Sequence, residues 1–224
     1  MPRPTISLNV VTFNESARIG RCLSHVADHV DEIVVVDQKS TDGTPDMAHA
    51  LGALVVPDDN HLFADPSRPL AESRSSCDWI LAVDADEEFT ADFLAVMPNL
   101  LRAAVAGFDL ERENYFGGQH WSADWHLRLW RRGQVAWPRF DRPHRRWSVP
   151  TSRPIAGAMV HAKSWSEQLA DDVHYERLGS GVGPFLALAR ARGVSGAELD
   201  DLSVDAAKAL GFDCVAVREG RVAA

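Results

Sequence analysis

The feature that most constrains the fold is the stretch from Trp79 to Glu88, in which five apolar residues are followed by four carboxylates within five positions. An unbroken apolar run of this length that ends in polar residues is typical of a strand buried on both faces. Asp84 and Asp86 would lie at its carboxyl end, where open α/β sheets bind their ligands. Residues two apart on a strand point the same way, so both carboxylates can face one crevice. The pattern indicates a site for Mg²⁺ or Mn²⁺ beside a nucleotide, or else solvated acids that cap the next helix.

The first part of the chain alternates apolar strands with helices. Strands are predicted for Ile6 to Thr12, Glu32 to Val36 and Ala53 to Val56. This alternation indicates a parallel sheet with right-handed crossovers. Asn14 is predicted to cap the first helix, in which Ile19, Cys22, Leu23 and Val26 share one apolar face. No Gly-x-Gly-x-x-Gly motif follows the first strand, which argues against a Rossmann oxidoreductase.

The second part contains further strands and a tail of different character. Thr90 is predicted to cap a helix. Strands are predicted for Phe108 to Arg112, His126 to Trp130, Gln134 to Trp137 and Ile155 to Ala162. Beyond residue 183, short helices over 184–193 and 203–210 and a strand from Phe212 to Arg218 complete the prediction. The tail carries no chemical motif that we recognise.

Size, charge and cysteine content narrow the class of protein. A chain of 224 residues can form one large α/β domain with an appendage, and its net charge of −9 argues against a general nucleic-acid binder. Cys22, Cys77 and Cys214 are odd in number and widely spaced, as expected of buried thiols in a reducing compartment. No apolar run approaches the roughly 18 residues of a membrane span. We therefore expect a cytoplasmic protein, and a homo-oligomer is compatible with the sequence.

Arginine is concentrated between residues 128 and 153, where eight arginines alternate with Trp130, Trp137, Phe140 and Trp147. In an acidic chain this is a local basic and aromatic patch. Solvated strand edges and aromatic packing would explain some of these arginines. The functional interpretation is that the patch binds a diphosphate, or an anionic or sugar acceptor, against aromatic faces.

Several separated motifs match one known family. They are Val11-Thr12-Phe13-Asn14-Glu15, Asp37-x-x-Ser40-Thr41-Asp42-Gly43-Thr44, Trp79-Ile80-x-x-x-Asp84-Ala85-Asp86-Glu87, Asn114-Tyr115-Phe116-Gly117 and Asp124-Trp125-His126-Leu127-Arg128-Leu129-Trp130-Arg131-Arg132-Gly133. Together they resemble family 2 glycosyltransferases of the GT-A fold, and the last two resemble a bacterial subgroup that includes enzymes of lipopolysaccharide-core glycosylation. The resemblance covers about residues 5–165.

The resemblance implies a fold and a division of the chain. The fold is α/β of the GT-A type, with a Rossmann-like, mostly parallel central sheet flanked by helices and a small α/β tail. Residues 1–165 would form the glycosyltransferase domain, with the nucleotide-sugar half at about 1–88 and the acceptor half at about 89–165. Residues 166–224 would form a small appendage of helices and a strand.

The resemblance also assigns the residues that bind the nucleotide sugar. The predicted set is Thr12, Asn14, Glu15, Asp37, Arg68, Asp84 and Ala85. Carboxylates suit the donor because they accept hydrogen bonds from a pyrimidine N–H or a ribose hydroxyl group. Arg74 is the alternative to Arg68.

Metal and catalytic roles follow from the same resemblance. Asp84 and Asp86 would bind Mn²⁺ or Mg²⁺, which offsets charge on the departing nucleoside diphosphate. His161 is a candidate third ligand, although a structural histidine is the commoner case, and His144 is the weaker alternative. Asp124 would take the proton from the acceptor hydroxyl group, with Asp86, Glu87 and Glu88 as chemical competitors.

These assignments predict a metal-dependent, inverting glycosyltransferase that uses a nucleotide sugar, with UDP as the expected nucleotide. The acceptor would be a glycan, a lipid-linked group or another hydroxyl compound, and nucleic acid or protein acceptors stay open. Pro143-His144-Arg145 stands where the subgroup has Val-His-Glu, so the acceptor is less defined than the donor. The alternatives are a non-catalytic carbohydrate- or anion-binding module on a GT-A scaffold and a sugar-1-phosphate nucleotidyltransferase.

Overall fold

The computed structural model describes residues 2–143 and 145–212 and contains an eight-stranded sheet. The strands are β1 (Ile6–Thr12), β2 (Glu32–Asp37), β3 (Leu54–Pro57), β4 (Trp79–Asp84), β5 (Glu87–Phe89), β6 (Gly107–Phe116), β7 (Gln119–Arg131) and β8 (Ser152–Lys163). Their order across the sheet is β3-β2-β1-β4-β7-β6-β8-β5. The first four strands in this order are parallel, and β7 pairs with β4 in the antiparallel direction.

Helices follow most of the strands. They are α1 (Ile19–Val26), α2 (Thr44–Ala50), α3 (Arg68–Arg74), α4 (Ala91–Leu100), α5 (Trp165–Arg177), α6 (Pro184–Arg192), α7 (Gly196–Asp200) and α8 (Val204–Ala209), with 3₁₀ turns at Ala27–His29 and Asp65–Ser67. The predicted α/β class, with a mostly parallel central sheet flanked by helices, is confirmed. Among the described residues, no helix has the length and apolar character needed to cross a membrane.

The chain divides into two compact units. Over the described residues, the first unit comprises 2–112, 125–140 and 145–160, and the second comprises 113–124, 141–143 and 161–212. Strands β6, β7 and β8 each contribute residues to both units.

The core of the first unit is built on β1, whose seven residues are all buried. Strand β1 lies between β2 and β4 in the sheet. Its side chains are buried on both faces, because Leu8 packs in one apolar cluster with residues of α1 and Val11 packs in another with Ala71 of α3. Helix α1 buries Ile19, Cys22, Leu23 and Val26, the apolar face that the sequence predicts. The hydroxyl group of Thr90 accepts a hydrogen bond from the amide of Phe93 and caps α4 as expected.

The second unit has its own aromatic core. Trp165, Phe116 and Trp121 pack around Phe185, with ring centroids 4.2–5.4 Å from it. The turn before β7 requires glycine at position 117, because its φ is +55° and a Cβ atom there would lie 2.0 Å from the indole nitrogen of Trp165.

Some local predictions were wrong. Asn14 does not cap α1, since its φ is +57° and the helix begins at Ile19 without a side-chain cap. Gln134 to Trp137 is not a strand, because this segment makes only an isolated bridge from Ala136 to Ser148. Helices α5 and α7 were not predicted. The predicted last strand lies outside the described residues except for Phe212, and Cys214 also lies outside them. Cys22 and Cys77 are buried free thiols.

The parallel core supplies a stability test. Leu8 on β1 is fully buried, and Leu54 on β3 is 49% exposed. We expect Leu8→Ala to lower the free energy of unfolding by about 2–5 kcal/mol, because it removes buried methyl groups and leaves a cavity. Leu54→Ala, the matched control, should cost less than about 1 kcal/mol. Urea unfolding of both variants measures the difference, and equal losses would contradict the placement of β1 in the core.

Candidate active site

The candidate site lies at the carboxyl edge of the parallel strands in the first unit. The strand register pairs Thr12 with Asp37, and Val11 with Asp84. The carboxyl ends of β1, β2 and β4 therefore meet at one edge, where α/β sheets bind their ligands. The Thr12 hydroxyl group donates a 3.2 Å hydrogen bond to Asp37, and both side chains are buried. The other oxygen of Asp37 accepts from the amide of Ser40 at 2.9 Å.

The loops after β1 and β2 are tied to each other. The Asn14 amide donates to the hydroxyl group of Ser40, and the Asn14 side-chain oxygen accepts from the amide of Thr41, both at 2.8 Å. The Glu15 amide donates to the Thr44 hydroxyl group at 2.8 Å. These bonds explain the left-handed backbone of Asn14, because that conformation directs its amide and its side chain toward one loop. The predicted donor-binding residues Thr12, Asn14, Glu15 and Asp37 thus lie in one bonded network.

An ionic cluster surrounds Asp84 at the end of β4. One carboxylate oxygen accepts from Nη2 of Arg68 at 2.6 Å, and the other accepts from Nη2 of Arg128 at 2.7 Å. The arginine side chains are only 6% and 3% exposed, whereas that of Asp84 is 27% exposed. The carboxylate is therefore partly exposed, while two buried guanidinium groups hold its orientation.

Glu87 extends this cluster. It is buried, and its Oε1 accepts from Arg112 at 2.7 Å and from Arg128 at 2.8 Å. Its other oxygen accepts from the backbone amide of Asp84 at 3.0 Å. Glu87 therefore fixes both the backbone of Asp84 and Arg128, one of the two arginines that bind the Asp84 side chain.

The cluster keeps Asp84 ionised. Burial by itself would raise the pKa of the Asp84 carboxyl group, but the attraction and hydrogen bonds of Arg128 and Arg68 outweigh it and hold the pKa well below its usual range. Nε and Nη1 of Arg128 are buried without a hydrogen-bond acceptor among the described residues. Each buried donor that is left unpaired costs about 1–3 kcal/mol. The hydrogen bonds of Arg128 therefore do not by themselves account for its buried position.

Arg68 also contacts an aromatic group. Its guanidinium carbon lies 5.3 Å from the centroid of the Trp147 ring, in a cation–π contact, and its Nε donates to Asp65 at 3.3 Å. The alternative, Arg74, is exposed at the end of α3. Of the two arginines considered from the sequence, Arg68 is the one that the structure brings to Asp84.

Asp86 is half-buried in the short turn between β4 and β5, next to the buried Ala85, and has an interaction partner of its own. Among the described residues, no group of three or more His, Cys, Asp and Glu side chains could hold a metal ion. The two aspartates predicted to bind a metal, Asp84 and Asp86, would thus supply at most two ligands from the described residues. This suits a divalent cation that takes its other ligands from phosphate and water.

Two predicted residues belong to the second unit. Asp124 lies on β7 and accepts a 3.4 Å hydrogen bond from the Asn114 amide group. His161 is buried on β8, and its Nδ1 lies 2.9 Å from the Asn114 side-chain oxygen. Asn114 therefore links the predicted base to the predicted third ligand. The alternative ligand His144 is outside the described residues.

Trp121, Trp125 and Trp130 lie near Asp124 in the sequence. Trp121 belongs to the aromatic cluster of the second unit, and Trp125 is 37% exposed. Trp130 belongs to another cluster, in the first unit, where its indole nitrogen donates to Glu72 at 3.3 Å. Trp121 and Trp130 thus belong to different apolar clusters.

Sequence reasoning missed Glu72, Arg112 and the role of Arg128. Glu72 on α3 accepts from the indole nitrogen of Trp137 at 2.8 Å and from the amide of Gly133 at 2.7 Å. A buried carboxylate on a short helix is a weak signal in a sequence. Arg128 carried a stronger one, since an arginine between the apolar residues Leu127 and Leu129 on a predicted strand needs a charged partner.

Comparison with known proteins shows which protein family this chain matches. Residues 7–159 match the model of glycosyl transferase family 2. A protein of Rickettsia felis described as an uncharacterized glycosyltransferase is 44% identical over 87 residues, which are 39% of this chain and 30% of that protein. The glycosyltransferase SunS of the Bacillus subtilis SPbeta prophage is 30% identical over 95 residues, 40% of this chain and 22% of that protein. This chain therefore spans less than a third of the length of these relatives.

Solved structures give more distant similarity. Glucosyl-3-phosphoglycerate synthase from Mycobacterium tuberculosis, in complex with Mn²⁺, UDP and glucosyl-3-phosphoglycerate, is 24% identical with a TM-score of 0.40. The alignment covers 50% of this chain and 44% of that one. S. aureus TarS is 19% identical with a TM-score of 0.43, over 49% of this chain and 36% of that one.

The ionic cluster predicts a pH-dependent loss of stability when Arg128 is removed. Arg128→Gln leaves Glu87 and Asp84 with one fewer cation, and we expect it to lower the free energy of unfolding by about 3–5 kcal/mol at pH 7. Because the folded pKa of Asp84 is lowered, its stabilising contribution exists above about pH 4 and is lost as the pH falls toward the folded value. The difference between wild type and variant should therefore shrink in acid.

Urea unfolding at several pH values measures this difference. Arg102→Gln is the matched control, since Arg102 is exposed and lies beyond α4. An Arg128→Gln variant as stable at pH 7 as the Arg102→Gln variant would show that the cluster does not hold the strand end.

Proposed function

We propose that this chain, which belongs to glycosyl transferase family 2, transfers a sugar from a nucleotide diphosphate sugar to an acceptor hydroxyl group. The observation that carries the proposal is the pair Asp84 and Asp86 at the end of β4, beside the bonded network of Thr12, Asn14, Glu15 and Asp37. One edge of one sheet thus offers groups for a nucleoside and for a diphosphate. The proposal also includes an inverting mechanism, a divalent metal ion and UDP as the nucleotide.

The loops after β1 and β2 would bind the nucleoside. The carboxylate oxygens of Asp37 each accept one bond within the protein and have capacity for a second, from a ribose hydroxyl group or a pyrimidine N–H. The bonds between the loops keep Asn14 and Glu15 in place before the donor arrives, which lowers the entropy cost of binding.

A divalent cation fits the acidic pair. Asp86 would hold it, with the ionised Asp84 as second carboxylate, and the donor phosphates would complete the ligand set. When bound, the cation would offset negative charge on the departing diphosphate. Arg68 and Arg128 orient Asp84 and keep it deprotonated, so the carboxylate is available in the charged form that binds a cation.

The acceptor hydroxyl group must lose its proton as it attacks the anomeric carbon, and Asp124 would take that proton in a single displacement. The hydrogen bond from Asn114 orients the Asp124 carboxylate on its strand. His161 lies at hydrogen-bond distance from the side-chain oxygen of Asn114. If His161 does not bind the metal, it would therefore affect Asp124 through Asn114.

The acidic pair can be tested by calorimetry of UDP binding in the presence of Mn²⁺. We expect Asp86→Asn to weaken UDP binding at least about tenfold, because a phosphate-bound cation loses a charged ligand. Asp92→Asn, which changes an exposed carboxylate in the first turn of α4, should leave the affinity unchanged. Wild-type protein with no affinity for UDP, GDP or TDP would contradict the proposed function.

The proposed base is tested separately. Asp124→Asn should lower UDP release from UDP-sugars in the presence of hydroxyl acceptors by about 10²–10⁴-fold, since the proton has no acceptor. UDP affinity should stay at the wild-type value. Asp201→Asn, an exposed site in the second unit, is the control. Turnover retained in Asp124→Asn would assign the base to another residue.

A further inference from the structure

The arginines between residues 128 and 153 fall into two groups. Arg128 is buried in the ionic cluster, Arg131 donates to the carbonyl oxygens of Val105 and Ala103, and Arg132 donates to that of Cys77. Arg145 also has an interaction partner. The second group is exposed and makes no hydrogen bond or ion pair within the part of the chain that the structure describes: Arg139, Arg142, Arg146 and Arg153.

Two of these exposed arginines are adjacent in sequence to members of an aromatic cluster in the first unit. The Trp137 ring lies 5.5 Å from the Trp147 ring and 6.2 Å from the Phe140 ring, measured between centroids. Arg139 directly precedes Phe140, and Arg146 directly precedes Trp147. We call Trp137, Arg139, Phe140, Arg146 and Trp147 the basic–aromatic patch.

The patch is anchored at its base. The antiparallel bridge between Ala136 and Ser148 joins the two chain segments that carry it, with a 2.8 Å hydrogen bond from the Ala136 amide. The buried carboxylate of Glu72 binds the indole nitrogen of Trp137 at 2.8 Å and the amide of Gly133 at 2.7 Å. A surface patch of rings held by a buried charge-assisted bond is preorganised, and this lowers the cost of binding a ligand.

The patch adjoins the candidate active site through Arg68. The Arg68 guanidinium group contacts the Trp147 ring at 5.3 Å and binds Asp84 at 2.6 Å. One side chain therefore separates the aromatic cluster from the carboxylate proposed to serve the donor. A ligand on the patch would lie beside the donor and not in a remote place on the first unit.

We propose that the basic–aromatic patch binds the acceptor and that this acceptor is a sugar carrying a phosphate group; the inference rests on the proposed glycosyl transfer. Guanidinium groups bind phosphate through paired hydrogen bonds, and indole rings pack on the apolar face of a sugar. The chain has a net charge of −9, so its overall electrostatic field disfavours the approach of an anion. Exposed arginines beside the site supply the local attraction that an anionic acceptor needs.

The test uses glucose 6-phosphate as the probe and glucose as its matched uncharged partner, with binding followed by calorimetry and tryptophan fluorescence. We expect glucose 6-phosphate to bind at least about tenfold more tightly than glucose. The double variant Arg139→Gln/Arg146→Gln should lose at least about tenfold in affinity for glucose 6-phosphate, the equivalent of about 1.4 kcal/mol. The control Arg102→Gln/Arg192→Gln removes two exposed charges elsewhere and should bind as wild type does.

Other results would overturn the proposal. Equal binding of glucose and glucose 6-phosphate, or equal losses in the two double variants, would mean that the patch does not recognise phosphate. Inorganic phosphate that binds as tightly as glucose 6-phosphate would show an anion site without sugar recognition, and the acceptor assignment would fail.

The proposal and the proposed function fail in different ways. UDP affinity measured with Mn²⁺ reports the donor site, and we expect it to be the same in wild type and in Arg139→Gln/Arg146→Gln. Loss of UDP binding in this variant would assign the arginines to the donor and overturn the inference. Absence of UDP binding in the wild type would instead overturn glycosyl transfer, while the probe measurements would still show whether the patch binds a sugar phosphate.

Discussion

The pairing of Asp84 with two buried arginines is the interaction on which the site depends. A carboxylate at the end of a strand in a sheet buried on both faces is costly unless cations balance it. Arg68 on α3 and Arg128 on β7 provide that balance, and they do so from elements that are distant in sequence. The same two bonds join α3 and β7 to the tip of β4. Charge compensation at the site is therefore also part of what holds these elements together.

The parallel sheet explains why the candidate residues assemble at all. In strands that share one direction, the residue after each last apolar position emerges at the same edge. Asp37 and Asp84 are 47 positions apart, yet each lies across the register from β1, opposite Thr12 and Val11. A polar residue at each strand end is thus sufficient to build a cluster of acids, and the loops need only supply Asn14 and Glu15 around it. The fold gives the location, and the local side chains give the chemistry.

Sequence reasoning succeeded where a single local pattern decides the structure. The apolar run from Trp79, the apolar face of α1 and the cap at Thr90 depend on neighbouring residues alone, and all were predicted.

Sequence reasoning failed where a distant partner decides the local structure. Asparagine is a residue type that commonly caps helices, but hydrogen bonds to the loop after β2 hold Asn14 in a left-handed conformation. Gln134 to Trp137 was predicted to be a strand, but Glu72, which is 65 positions away, binds Trp137. The partners of Arg128 could not be identified because they come from β4 and β5, and only the sheet order brings them together.

Charge balance in the cluster bears on how donor and cation would bind. Two carboxylates, Asp84 and Glu87, meet three guanidinium groups, from Arg68, Arg112 and Arg128, and Asp65 adds a third negative charge through Arg68. The formal charges of this six-residue cluster therefore balance. A divalent cation near Asp84 would find little net attraction from it, so its binding must draw on Asp86 and on the phosphates of the donor. In the proposed reaction, cation and nucleotide would therefore bind with mutual dependence, and the neutral cluster would serve to keep Asp84 ionised and correctly directed.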